Sequence, residues 1–268
     1  MRSAALLAAL LLAGCAGSPP RSRTEHPTIV SLNPCTDAIL AEVADPAQVL
    51  AISHFSHDPR ATSLPLAVAR RYPAVGDSAE EVLALDPDLV VASTYLPPAT
   101  AQAFARLGVR IEAFGVAPTV AESEAQVRRL SALAGHPERG EALVARIEAA
   151  MAASRSAAPP VTALVWQEGG LVPGPDSLIA QLLRHTGFAS HSAARGLGQG
   201  AYLPLEQVLA DPPQVIVAAG GERMLTHPAL RHLAGAAYAR LDPALLYCGG
   251  PTIIRASARL AEIRRAAT

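Results

Sequence analysis

The chain has no lysine: all 22 of its basic residues are arginine, set against 23 acidic residues for a formal net charge of −1 over 268 positions. So near neutrality there is no broad positive field, which argues against a nucleic-acid partner. Aromatic residues are scarce at 4%, with a single tryptophan, and only 17% of the chain is charged. Half of it is hydrophobic, which excludes the disordered class. No apolar run approaches the ~20 residues of a membrane-spanning helix; the run from Ala4 to Ala13 stops far short. There is no Gly-x-Ser-x-Gly elbow, no His-Glu-x-x-His helix and no Cys-x-x-Cys pair. An exported hydrolase is therefore the weakest of the functional alternatives, resting only on Asp176-Ser177 and scattered histidines, and no catalytic residue is assigned.

What is there begins with an address label. Met1-Arg2-Ser3 supplies a short positive start, Ala4 to Ala13 has the length of a signal-peptide apolar region, and Leu12-Ala13-Gly14-Cys15 closes it. Small residues before a cysteine at that point resemble the lipobox of bacterial lipoproteins. The resemblance implies a signal peptide over residues 1–14, lipidation at Cys15 and a tether over residues 15–27, rich in Pro, Ser and Arg. The mature protein is then extracytoplasmic and held to a membrane by its N-terminal lipid. Two thiols remain, Cys35 and Cys248. An exported location permits them to pair, two buried small hydrophobes fit them equally well, and the sequence leaves the choice open.

Short apolar runs alternate with helical patterns throughout, the pattern of an α/β protein. Strands are expected at Thr28–Leu32, Gln48–Ser53, Leu89–Ala92, Val109–Phe114, Val161–Trp166, Val215–Ala218 and Leu245–Cys248. Helices are expected from Asn33 to about Val43 and at Glu80–Leu85, Thr100–Leu107, Val120–Ala134, Pro137–Ser156, Leu178–Thr186, Leu205–Leu209 and Ile254–Ala266. The segment Glu80 to Ala92 matches Glu206 to Ala218 without a gap, seven of thirteen positions being identical. Each copy reads as a short helix, a proline turn and a buried strand, once on either side of the long helix from Pro137. The implied architecture is two Rossmann-like lobes joined by one long backbone helix: residues 28–118 form the N-terminal lobe, 119–158 the helices with the connecting strut, and 159–268 the C-terminal lobe. One helical crossing permits tilting and resists a wide hinge closure.

The lipobox, Ile29-Val-Ser-Leu-Asn33, the unit from Glu80 to Leu89, its echo at Glu206 and the single linking helix resemble the substrate-binding proteins of type II ABC importers. Those proteins take up cobalamin, haem or ferric siderophores. Within the family the cobalamin-binding members are most similar, through Ser53-His-Phe-Ser56, Gly174-Pro-Asp-Ser177 and Leu205-Glu-Gln-Val-Leu209. The resemblance implies a protein that is not an enzyme. It implies a monomer with no cofactor of its own, which captures a chelate of cobalt or iron and hands it to an ABC permease dimer. It also assigns Glu80 and Glu206, one per lobe, to docking on arginines of that dimer.

Ligands of open α/β sheets lie beyond the carboxyl ends of the strands. The candidate cleft therefore draws on Ser31 to Thr36 (with Asn33), His54-Phe55-Ser56-His57 and Ser93 to Leu96 (with Tyr95) in the first lobe. In the second it draws on Trp166-Gln167-Glu168, Tyr202, Gly220 to Arg223 and Gly249-Gly250. Phe55, Tyr95, Trp166 and Tyr202 offer flat apolar walls suited to a macrocycle. His54, His57 and Tyr95 are candidate axial ligands of a bound metal centre, and Arg60, Arg223 and Arg255 are the cations placed to meet an anionic chelate. The alternative within the same architecture is a receptor for bare Zn²⁺ or Mn²⁺, for which His54, His57 and Glu168 would supply three ligands.

Overall fold

The computed structural model describes residues 25–267 apart from positions 232 and 234. Cys15, its leader and most of the tether lie outside the described residues. Among those described, the strands are β1 (Ile29–Ser31), β2 (Val49–Ser53), β3 (Ala74–Val75), β4 (Leu89–Ser93), β5 (Ile111–Phe114), β6 (Val161–Gln167), β7 (Leu171–Val172), β8 (Phe188–Ser190), β9 (Ala201–Tyr202), β10 (Val215–Ala219) and β11 (Ala237–Leu241). They form a parallel sheet in the order β3-β2-β1-β4-β5, a second parallel sheet in the order β11-β10-β6-β8, and an antiparallel ribbon of β7 with β9.

The two sheets repeat one plan. Strand β4 lies between β1 and β5, and β10 lies between β6 and β11, so the two copies of the repeated segment occupy equivalent strands. Each is preceded by its short helix, Ala79–Ala84 in one lobe and Leu205–Ala210 in the other, whose Val82 and Val208 are fully buried. Parallel sheets need cover on both faces, and the strand sequences supply it. In β4, Leu89 and Val91 face one layer while Val90 and Ala92 face the other; in β10, Val215 and Val217 oppose Ile216 and Ala218.

One apolar cluster runs under both lobes. It takes Ile29, Leu40, Val91 and Phe114 from the first, Leu143, Val144 and Ile147 from the connecting helix Pro137–Ser154, and Val165, Val217 and Leu260 from the second. At 1.5 Å per residue that helix is about 27 Å long, enough to brace one lobe against the other.

The last expected strand is not one. Leu245 ends a 3-10 turn at Pro243–Leu245 and the chain runs as loop from there into the final helix Thr252–Ala266, while the edge strand beside β10 is β11. Leu245 and Leu246 are apolar because they pack on the core cluster shared by the lobes, not because they fill a sheet. The loop is tied to the helix Val120–Leu133: the Gly250 amide donates to Ser123 Oγ at 2.6 Å. Gly250 has φ +56°, and a Cβ there would stand 2.9 Å from Ile39 Cγ1, so both conformation and space require glycine. The same loop carries Cys248, which is disulfide-bonded to Cys35 with a Cα–Cα distance of 5.2 Å. The question the sequence left open is thus answered by a covalent link from one lobe to the other.

Candidate ligand-binding site

Between the lobes lies a cavity of about 740 Å³, within the range of small-molecule sites. The N-terminal wall is built from the ends of β1, β4 and β5 and the turns after them. Asn33 caps the helix Pro34–Val43, its Oδ1 accepting the Cys35 amide at 2.9 Å, and so stands at the cavity edge with Cys35. Ser93, Tyr95 and Gly115 to Pro118 continue this wall, and Gln126 closes it, held by donation from Nε2 to the Gly115 carbonyl at 2.8 Å. The C-terminal wall comprises Gln167 at the end of β6, Pro173 to Ile179, Gln199, and Leu246 to Gly249. Ser177 caps the helix Leu178–His185 and donates to the Gly174 carbonyl at 2.7 Å, while Gln199 Oε1 takes the Gly174 amide at 2.8 Å. These bonds fix the second wall.

The lining carries side-chain amides from Asn33, Gln126, Gln167 and Gln199, hydroxyls from Ser93, Ser177, Tyr95 and Tyr247, and one carboxyl, Asp176; no arginine or histidine lines it. Burial pushes the Tyr247 phenol above its ordinary value, and Glu168, Asp242 and Asp58 push it further, all three being anionic neighbours. A phenol so placed resists conversion to the phenolate that would bind ferric iron.

The residues expected in the cleft are only partly brought together. Asn33 and Tyr95 line the cavity, Tyr95 with 79% of its surface exposed. Trp166 does not, and this is a correction: it is fully buried, its side chain shares the outer layer of β6 with Leu164, and its indole N–H donates to the Leu203 carbonyl at 2.9 Å. Period-two alternation sends Trp166 into the core and leaves Gln167 at the cavity. His54, Phe55 and His57 occupy the turn His54–His57 away from the lining, with the His54 and Phe55 rings 4.0 Å apart and His57 Nε2 3.2 Å from the Ala69 carbonyl oxygen. Tyr202 is 60% exposed on the ribbon of β7 and β9, and Arg223 is exposed on the loop after β10; neither lines the cavity. Glu168 Oε1 accepts the Gly221 amide at 3.0 Å. Among the described residues no three His, Cys, Asp or Glu side chains converge, so the ligand set of the bare-ion alternative is not assembled. Sequence reasoning missed Gln126, Gln199 and Tyr247. Gln126 lies within a helix, and Tyr247 lies in the segment read as a strand.

Beneath the first wall Asp37 is fully buried. Its Oδ2 accepts the Ser53 amide at 3.0 Å and the Ser56 hydroxyl at 2.6 Å, while Oδ1 has no partner. It thereby ties the helix that starts at the cavity edge to the turn His54–His57. Burial raises the carboxyl to about 7, against the pull of the Ser31 and Ser56 hydroxyls and the Ser53 amide.

Glu80 and Glu206 lie elsewhere, each exposed in the first turn of its short helix, one on either lobe. No helix among the described residues is long and apolar enough to cross a membrane.

Two parallel α/β lobes on a helical brace, with a cavity between them, are the architecture of a two-lobed binding protein. Residues 29–240 match the family described as "Periplasmic binding protein", and the chain belongs to that family, which places it outside the cytoplasm. Among solved structures, the chain is similar to the periplasmic heme-binding protein RhuT from Roseiflexus sp. RS-1 in apo form (25% identity over 90% of this chain and 97% of that one, TM-score 0.69). It is also similar to the periplasmic vitamin B12 binding protein BtuF of Vibrio cholerae (19%, 90% and 98%, TM-score 0.70). The periplasmic heme binding protein HutB of Vibrio cholerae shares the fold as well (16%, 88% and 98%, TM-score 0.72). A comparison with curated proteins found no match.

Proposed function

We propose that this protein captures a metal chelate between its lobes and delivers it to an ABC importer, and that the chelate is a corrinoid. The observation that carries the choice is the cavity lining, which is rich in amides and lacks a cation. Haem presents two carboxylates and a ferric catecholate carries several negative charges; both need cationic partners to offset desolvation. A corrinoid such as cyanocobalamin is neutral overall, and its rim of carboxamides matches Asn33, Gln126, Gln167 and Gln199 in kind. The raised Tyr247 phenol also counts against tyrosinate ligation of haem. The solved relatives include a vitamin B12 binding protein as well as heme-binding ones. In this reading the lipidated Cys15 tethers a monomer to the membrane through residues 15–27, and Glu80 and Glu206 engage arginines of the permease.

Titration of the purified mature protein with cyanocobalamin, haemin and Zn²⁺ tests the reading by calorimetry. Saturable one-to-one binding of cyanocobalamin at micromolar or lower dissociation constant, at least tenfold tighter than haemin, is expected. Tighter binding of haemin, or of Zn²⁺ alone, would overturn it.

A further inference from the structure

The lobes are joined twice. The chain crosses at the helix Pro137–Ser154, and the disulfide joins Cys35, in the first turn of an N-lobe helix, to Cys248, in the loop before the last C-lobe helix, across 213 residues of sequence. Both cysteines line the cavity. They stand where its walls meet: Asn33 and Cys35 belong to one wall, Leu246, Tyr247, Cys248 and Gly249 to the other. Polar bonds from the C-terminal lobe to the rest of the chain flank the link. Gly250 donates to Ser123, Ser63 donates to the Ala244 carbonyl, and Arg255 donates to the Ser63 carbonyl. Cys248 is only 6% exposed and Cys35 is half-buried, and both border the cavity.

Two covalent crossings restrict relative rotation of the lobes to an axis passing near both. We propose that the Cys35–Cys248 disulfide is a positioning lock, which holds the two halves of the cleft at their binding separation and is open to reduction by a dithiol only while the cleft is empty. The reaction is thiol–disulfide exchange. One thiolate of the dithiol attacks a cysteine sulfur and displaces the other as a thiolate, and its second thiol resolves the mixed disulfide. Two electrons pass to the protein, leaving Cys35 and Cys248 as thiols and the dithiol as its cyclic disulfide. With the lock open, only the helix and the polar seam set the lobe separation. The retention of ligand then falls.

The shielding half of the proposal rests on the reading of the cavity as the ligand site; the lock does not. Hydrogen exchange of the ligand-free protein, before and after dithiothreitol, tests the lock. Exchange at residues 244–251 and around Ser123 in the helix Val120–Leu133 is expected to speed up at least tenfold on reduction, with β6 and β10 unchanged. Exchange unaltered in the seam overturns the proposal, as does a uniform increase across both sheets, which would make the bond a general staple. Cys35→Ser/Cys248→Ser is expected to match the reduced wild type. If that variant does not fold, the reduced wild type carries the comparison alone. Cyanocobalamin at saturation is expected to slow the dithiothreitol reaction at least tenfold, and reduction to raise its dissociation rate at least tenfold. Saturating ligand that leaves the reduction rate unchanged refutes the shielding. If cyanocobalamin does not bind, the corrinoid reading fails and the exchange experiment still decides the lock.

Discussion

Reversing charge at both Glu80 and Glu206, as Glu80→Arg/Glu206→Arg, is expected to lower chelate uptake by at least a hundredfold while leaving ligand affinity of the purified protein unchanged. The two carboxylates are exposed on equivalent helices of equivalent lobes, one per lobe. Such a pair fits two symmetric arginine pockets, and bidentate carboxylate–guanidinium bonds would orient the protein as well as hold it. Truncating one partner of a buried interfacial charge pair costs about 2–5 kcal/mol, so two reversals exceed what weak docking survives. Single reversals are expected to have smaller effects, because one lobe still engages. Uptake by the double variant at the wild-type rate, with wild-type amounts of protein in the envelope, would remove these residues from docking. A glutamate in a first helical turn complements the macrodipole by a few tenths to about 1 kcal/mol, so a merely structural role predicts a small loss of stability and no loss of transport.

The second large effect is on stability against pH. Asp37 is buried with its carboxyl raised to about 7 from the ordinary 3.8. Between these values the native state keeps a proton that the unfolded chain has released, so stability falls as pH rises through this window. Below it both states are protonated, and above it both are ionised. At about 1.4 kcal/mol per pKa unit, the penalty above pH 7 is on the order of 4 kcal/mol. Asp37→Asn retains an oxygen that can accept from the Ser53 amide and the Ser56 hydroxyl and cannot ionise. Melting followed by circular dichroism at pH 5 and pH 8 should show the wild type losing roughly 10 °C more than the variant between the two conditions. Equal losses in both proteins would show that Asp37 is already ionised in the native state at pH 5. The effect reaches the cleft because the same carboxyl anchors the turn His54–His57 to the helix capped by Asn33.

Much of the fold is legible because its strands are buried on both faces and bounded by strong turn signals. Leu89–Ser93 after Pro87-Asp88 and Val215–Ala219 after Pro212-Pro213 are apolar enough to be strands by composition, and the repeat fixes their equivalence. Asn33-Pro34 announces a helix start, and the cap forms as the residues suggest. What misleads is apolar sequence whose burial comes from the other lobe. Leu245–Cys248 looks like a strand because it is apolar, yet Leu245 and Leu246 pack on a core cluster drawn from both lobes, which no local pattern reveals. β11, with its exposed Ala237 and Arg240, is an edge strand too weakly patterned to announce itself.

The site is less legible for a related reason. Of the loop residues after strands, Asn33, Ser93 and Tyr95 lie on the cavity. The aromatic rule then fails by one position at Trp166, where a strand end still alternates into the core and the neighbouring Gln167 faces the cavity. His54 and His57 drew attention as isolated metal-ligating types, but their turn is held down by Asp37 and Ala69 and does not reach the lining. The pairing of Cys35 with Cys248 depends on how the lobes meet, which the spacing of two cysteines does not encode.

Crystals of the protein grown with cyanocobalamin test the central claim most directly. Density for the corrin ring between the lobes is predicted, with its carboxamides bonded to Asn33, Gln126, Gln167 or Gln199 and one edge near Tyr247 and the disulfide. An occupied site on the outer face of either lobe, with the space between them left to water, would contradict the account.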